Sequence, residues 1–197
     1  VTVSEFSRNE ILRLSSADSD KLTVIYNAVD EKFSTDVQSR QSDEKYILFV
    51  GNIKPHKNLH NALKAFRIFL QKKNNYKFYI VGKKEGLVTG INNLDALVKG
   101  IENRVIFTGY ISDRELKEYY ANTSIFFFPS KYEGFGFPIL EAMKFSIPIV
   151  SSNATSLPEV GGDAILYCDP NDINDMAKKL ESVLDNKNAF SRMKYKN

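Results

Sequence analysis

The sequence predicts a doubly wound α/β domain built on a mostly parallel sheet, and three features of its 197 residues carry that prediction. Short apolar runs alternate with longer stretches whose apolar residues recur at helical spacing. Most of these runs are continuously apolar, as strands are when helices cover both faces of a sheet. Two of them pass straight into glycine-containing turns that open helices. Such sheets bind ligands at these turns, beyond the carboxyl ends of their strands.

In chain order, strands are expected over Thr23 to Tyr26, Tyr46 to Val50, Lys77 to Val81, Arg104 to Thr108, Ser124 to Phe128, Ile147 to Val150 and Ile165 to Tyr167. Residues 1–20 read as a short strand, a helix-like stretch from Glu5 to Leu14 and a polar loop ending at Asp20. Leu59, Ala62, Leu63, Phe66, Phe69 and Leu70 share one helical face, with Asn58 expected as its N-cap. Ser112 and Glu115 have capping-box spacing and open a helix from Asp113 to Tyr120. Asp172 can cap Ile173 to Leu184, where Met176, Leu180, Val183 and Leu184 form the apolar face. Residues 34–45 are polar and read as a surface loop, and the polar tail from Asn186 reads as mobile. The expected division is therefore a leading segment and linker (1–20), a main domain (21–186) and a tail (187–197).

Composition excludes several classes. The net charge of +3 comes from scattered Lys and Arg with no aromatic-rich basic stripe, so nucleic acid is not an expected partner. The single cysteine, Cys168, rules out an internal disulfide framework and fits a reducing, cytoplasmic setting. No apolar run is long enough for a transmembrane helix. The start, Val1-Thr2-Val3-Ser4-Glu5, has neither the regions of a signal peptide nor an initiator Met, and is expected to belong to a longer chain.

The most informative stretch runs from Pro129 to Met143. After the apolar Ile125-Phe126-Phe127-Phe128 come Glu133, Gly134, Phe135, Gly136, Phe137, Pro138 and, eight positions after the first acid, Glu141. Gly134 and Gly136 allow close backbone approach, and Pro138 suits a first helical turn. Free amides around Phe135, Gly136 and Phe137 would face an anion at a helix N-terminus, flanked by the two carboxylates. The plain alternative is a sharp turn carrying two surface acids. The stretch from Gly51 to Asn58 repeats the strand-turn-helix order and puts Lys57 where its ammonium could neutralise a phosphate.

Other matches carry less. Asp18-Ser19-Asp20 fits a short acidic metal-binding pattern but lies in a polar loop rather than after an apolar strand. The sequons at Asn122 and Asn153 adjoin expected core elements. His56 and His60 are the only histidines and no spaced cysteines join them, so no metal site is expected.

The segment from Glu133 to Met143 resembles the signature of family-4 retaining glycosyltransferases of the two-domain GT-B type. Ile25 to Asp30, Gly51 to Asn58, Val81-Gly82, Val105 to Tyr110, Ser156 to Val160, Gly162 to Ala164 and Asp169-Pro170 fall in that family's order. The resemblance implies the C-terminal, donor-binding half of such an enzyme, with residues 1–16 similar to the last elements of the N-terminal acceptor-binding domain. It implies a nucleotide-diphosphate sugar as donor, a glycan or lipid-linked acceptor, no cofactor and no metal. By the same resemblance Glu133 lies at the donor sugar and Glu141 holds the ribose hydroxyls. Gly134 through Phe137 cradle the diphosphate, Gly51, Asn52 and Lys57 form the second phosphate loop, and the backbone of Tyr110 and Ile111 meets the base. The lean toward GDP-mannose comes from likeness to enzymes of O-antigen and exopolysaccharide synthesis.

Two departures stand out. Asn52 occupies a position where the family often has arginine, which Lys54 or His56 could offset. Phe145-Ser146 replaces the usual small residue and glycine. The alternatives are a GT-B epimerase or phosphorylase-like enzyme, whose extra acid/base groups or pyridoxal lysine cannot be located, and a non-catalytic α/β binding module.

Overall fold

The computed structural model describes residues 1–30, 33, 35–37, 43–82 and 94–185. One sheet of six parallel strands organises it: β1 (Lys45–Val50), β2 (Tyr76–Val81), β3 (Val105–Gly109), β4 (Ile125–Phe128), β5 (Ile149–Ser152) and β6 (Leu166–Cys168). Their spatial order is β3-β2-β1-β4-β5-β6. The helices are α1 (Glu5–Leu14), α2 (Leu59–Leu70), α3 (Leu94–Val98), α4 (Asp113–Asn122), α5 (Phe137–Lys144), α6 (Leu157–Gly161) and α7 (Ile173–Asp185).

The continuously apolar strands divide their side chains between two layers. Ile47 and Phe49 point to the face covered by Leu63 and Phe66 of α2 and Met176 and Leu180 of α7. Tyr46 and Leu48 point to the opposite face, under Tyr120 of α4, Ile139 of α5 and Leu157 of α6. Period-two alternation thus explains why neither face of these strands could be polar. Helix ends follow the expected chemistry at two sites. Ser112 and Glu115 make a complete capping box at α4. The Asp172 carboxylate accepts from the amides of Asn174 and Asp175 at the start of α7.

Three expectations are corrected. Thr23 to Tyr26 is not a strand. Only Val24 bridges, in parallel, to Thr2, because that partner segment ends at Ser4, the N-cap of α1, after one paired residue. The same bridge is all that remains of the short strand expected at the N-terminus. Asn58 stands at the N-cap position of α2 but makes no side-chain cap. It adopts a left-handed conformation (φ 61°), and its amide nitrogen donates to the buried carbonyls of Pro129 and Pro170 at 3.0 and 2.7 Å. The expected tail and half of the expected loop at 34–45 lie outside the described residues. Among the described residues, no helix is long and apolar enough to cross a membrane.

Candidate functional site: a crevice between two strand-to-helix turns

The strand order reverses between β1 and β4, so the connections leaving these neighbours run to opposite sides and open a crevice beyond their carboxyl ends. Both sequence-predicted turns leave from there. They are stitched together: Asn58 donates to Pro129, the Lys131 amide donates to the His56 carbonyl at 2.7 Å, and Lys57 Nζ sits 2.6 Å from Glu133 Oε1. Lys57 and Glu133 are only 15% and 13% exposed, so this ion pair is largely shielded from solvent. The ammonium also lies 5.0 Å from the Phe128 ring centroid.

The turn from Glu133 to Phe137 is held by its carbonyls. Ser156 Oγ donates to the carbonyls of Glu133 (2.9 Å) and Phe135 (3.0 Å). Ser4 and Ser7 hydroxyls donate to the Gly134 carbonyl at 2.7 and 3.0 Å. The Gly136 carbonyl accepts from the Ile139 amide inside α5. The peptides are trans, so each N–H points opposite the carbonyl of its own peptide unit. Pinning these carbonyls therefore aims the amides of Gly134, Phe135, Gly136 and Phe137 away from their anchors, and among the described residues none has an intramolecular acceptor. Such a set of orphan donors at the start of a helix suits an anion. Ser130, at the entrance to the turn, has a fully buried hydroxyl without a partner among the described residues.

The two glycines are not equivalent. Gly136 has φ 111°, and a Cβ there would fall 2.7 Å from Leu157 Cδ2. Gly134 has ordinary φ, and its added Cβ would meet only Ser7 Oγ at 3.6 Å. Behind the turn, Thr155 accepts the Glu133 amide at 3.1 Å while holding φ 56°, a strained conformation for a β-branched residue.

Glu141 lies one turn into α5. Tyr120, fully buried, donates its hydroxyl to Glu141 Oε2 at 2.8 Å. Burial pushes the Glu141 carboxyl above the usual carboxylate range, Tyr120's hydrogen bond works against that shift, and Asp113 adds to it. Burial likewise drives the Tyr120 hydroxyl well above the ordinary phenol range.

Gly51 follows β1 beside the Lys57 stem. Its carbonyl lies so close to Gly82 that a Cβ there would be 2.1 Å away. Asn52 is exposed. Burial, with Lys57 beside it, holds the His56 imidazole below its ordinary range, which favours the neutral form in the unliganded chain. Tyr110 is 79% exposed beyond β3, and Ile111 packs on the α4–α5 layer. The structure thus joins Lys57, Glu133 and the turn directly and leaves Tyr110 and Ile111 further along the same sheet edge. A groove between β1, β2 and α4, lined by Tyr46, Tyr79, Glu118 and Tyr119, contains none of these residues. Asp18 of the acidic tripeptide accepts from the Asp20 amide in a short 3-10 turn.

Ser4, Ser7, Tyr120, Thr155 and Ser156 are supports that sequence reasoning assigned no role. Ser156 alone had a local signal, as the first residue of Ser-Leu-Pro-Glu-Val.

The family model described as glycosyl transferases group 1 matches residues 30–197. This chain belongs to that family. It is 35% identical to O-antigen chain mannosyltransferase B of Escherichia coli, over 94% of this chain and 51% of that protein. It is 29% identical to O-antigen chain mannosyltransferase RfbU of Salmonella typhimurium, over 98% of this chain and 52% of that protein. The chain thus spans about half the length of these curated relatives. In fold it is similar to Anabaena HepE, solved with UDP-glucose (TM-score 0.85, 18% identity, 98% of this chain and 56% of that one). It is also similar to a glycosyltransferase from Rickettsia africae (TM-score 0.83, 20% identity, 97% and 55%). At such identities the likeness concerns the fold.

Proposed function

We propose that the chain is the donor-binding half of a retaining glycosyltransferase that moves a hexosyl group from a nucleoside-diphosphate sugar to a glycan or lipid-linked acceptor in the cytoplasm. The observation that carries this reading is the row of outward amides from Gly134 to Phe137, with their carbonyls tied back. These amides bind the diphosphate, and Lys57 reaches it from the facing turn. Glu141 accepts ribose hydroxyls, Glu133 contacts the donor sugar, and the backbone at Tyr110 and Ile111 meets the base. The mannosyltransferase relatives support a GDP-mannose donor.

The chemistry follows from charge. As the bond from sugar to phosphate breaks, the diphosphate leaving group gains negative charge. Prealigned amides and an ammonium in a partly enclosed crevice stabilise that charge more than the ground state, which is what lowers a barrier. Without donor, Lys57 is neutralised by Glu133. Donor binding puts a diphosphate within reach of the same ammonium, so Glu133 is freed to meet sugar hydroxyls.

The acceptor site belongs to the N-terminal domain of such enzymes, so this chain alone should bind nucleotide and turn over poorly. Calorimetric titration with GDP-mannose, UDP-glucose and ADP-glucose is the test. Binding of at least one is expected, strongest for GDP-mannose, and Lys57→Ala weakens it by roughly tenfold or more, the scale of a charge-assisted contact. Absence of binding by all three at millimolar concentration contradicts the proposal.

A further inference from the structure

We infer that α1 is a positioning element of the diphosphate cradle, acting through the hydroxyls of Ser7 and Ser4 on the carbonyl of Gly134; this rests on the cradle reading above. The contact spans about 130 positions of sequence, and neither buried core cluster draws a residue from 1–30. Helix α1 is therefore held to the domain chiefly by what it grips at the turn and at α6.

The amides of Glu5, Phe6 and Ser7 at the helix start all find side-chain acceptors. Ser4 Oγ accepts the Ser7 amide at 3.0 Å. The Glu159 carboxylate accepts the amides of Glu5 (2.6 Å) and Phe6 (3.2 Å), an anion on the positive end of the helix. Glu159 lies one turn beyond Ser156 in α6. The two ends of one short segment thus serve one turn. Ser156 holds the carbonyls of Glu133 and Phe135 directly, and Glu159 holds α1, whose serines hold the carbonyl between them. Phe6 against Tyr132, edge to face with centroids 5.5 Å apart, adds an apolar contact beside the turn.

The consequence is directional. The Gly134 carbonyl and the Phe135 N–H belong to one planar trans peptide, so a donor on the carbonyl fixes where the N–H aims. Gly134 has no side chain to restrain that plane, and its Cβ position is open apart from Ser7 Oγ. Without the serine hydroxyls the plane is free to rotate and the Phe135 amide leaves the set. Ser7 is the informative site. Its side chain caps no amide of α1 and touches the cap only by accepting from the Ser4 hydroxyl at 2.9 Å, whereas Ser4 both caps the helix and holds the carbonyl.

The test uses this chain labelled with nitrogen-15, with GDP and UDP as probes. In the wild type, the amide signals of Phe135, Gly136 and Phe137 should shift on adding one of them. If neither shifts them at millimolar concentration, the cradle reading falls and this inference falls with it. In Ser7→Ala the fold should persist, the unliganded Phe135 amide signal should move, and nucleotide affinity should drop roughly three- to tenfold, the scale of one lost hydrogen bond. Ser7→Thr, which keeps the hydroxyl, should restore both. Glu159→Gln, which leaves the serines intact and weakens the anchor of α1, should give the same pattern to a smaller degree. Wild-type affinity with an unmoved Phe135 signal in both Ser7→Ala and Glu159→Gln would overturn the inference while leaving the cradle reading standing.

Discussion

Glu141 combines a cost in stability with the ribose-binding role proposed for it. Its carboxyl is raised by burial, so the folded state holds the proton more tightly than the unfolded chain does. Stability from this group is therefore greatest in acid and is lost as pH rises from the ordinary carboxylate range through the raised value. Glu141→Gln keeps an acceptor for Tyr120 and removes the buried charge. The unliganded variant is expected to melt above wild type at neutral pH, with the gap closing in acid, while nucleotide-sugar affinity falls about tenfold or more. Thermal melts at several pH values, read beside titrations, check both halves. The two turn glycines form a second contrast. Gly136→Ala meets both a positive φ and Leu157, and should cost about 1–3 kcal/mol and most of the binding. Gly134→Ala has neither obstacle, and its midpoint in urea should stay close to wild type. The sequence presents these two glycines as equals, because φ and the approach of a side chain 21 positions away leave no local trace.

Helices α4 and α7 were legible because their caps are local, with Ser112 and Asp172 working within three residues. Asn58 has the same local appearance and a different task. Its side chain joins the ends of three segments by donating to Pro129 and Pro170, contacts 71 and 112 positions away. Asn58→Ser, an acceptable cap on sequence grounds, should therefore destabilise the chain by about 1–3 kcal/mol, because the buried Pro129 carbonyl loses its donor and the Pro170 carbonyl keeps only Asn61. Chemical denaturation measures that directly, and an unchanged midpoint would contradict the role described here. Thr23 to Tyr26 has strand-like composition, but its partner segment turns into α1 after one residue. Strand propensity cannot supply the missing neighbour. Ser146 shows a departure from the family pattern with a physical mark: it stands at φ 51°, where glycine is favoured.

At the scale of the molecule, strand order decides where the site is. Alternating apolar runs and helical stretches were enough to read a doubly wound sheet, and the crevice at its switch point collects the turns that hold Lys57 and Glu133. The sequence marked both turns, yet their direct pairing was beyond it, since it depends on β1 and β4 being neighbours. The supports behind the turn come from two distant stretches of sequence, Ser4 and Ser7 at the start of α1 and Thr155 and Ser156 before α6, and only the fold brings them together. A structure of the chain with GDP-mannose tests the central claim most directly. Diphosphate oxygens are expected at about 2.7–3.2 Å from the amides of Phe135, Gly136 and Phe137, with Lys57 drawn toward them. A nucleotide bound elsewhere, with those amides facing only solvent, would contradict it.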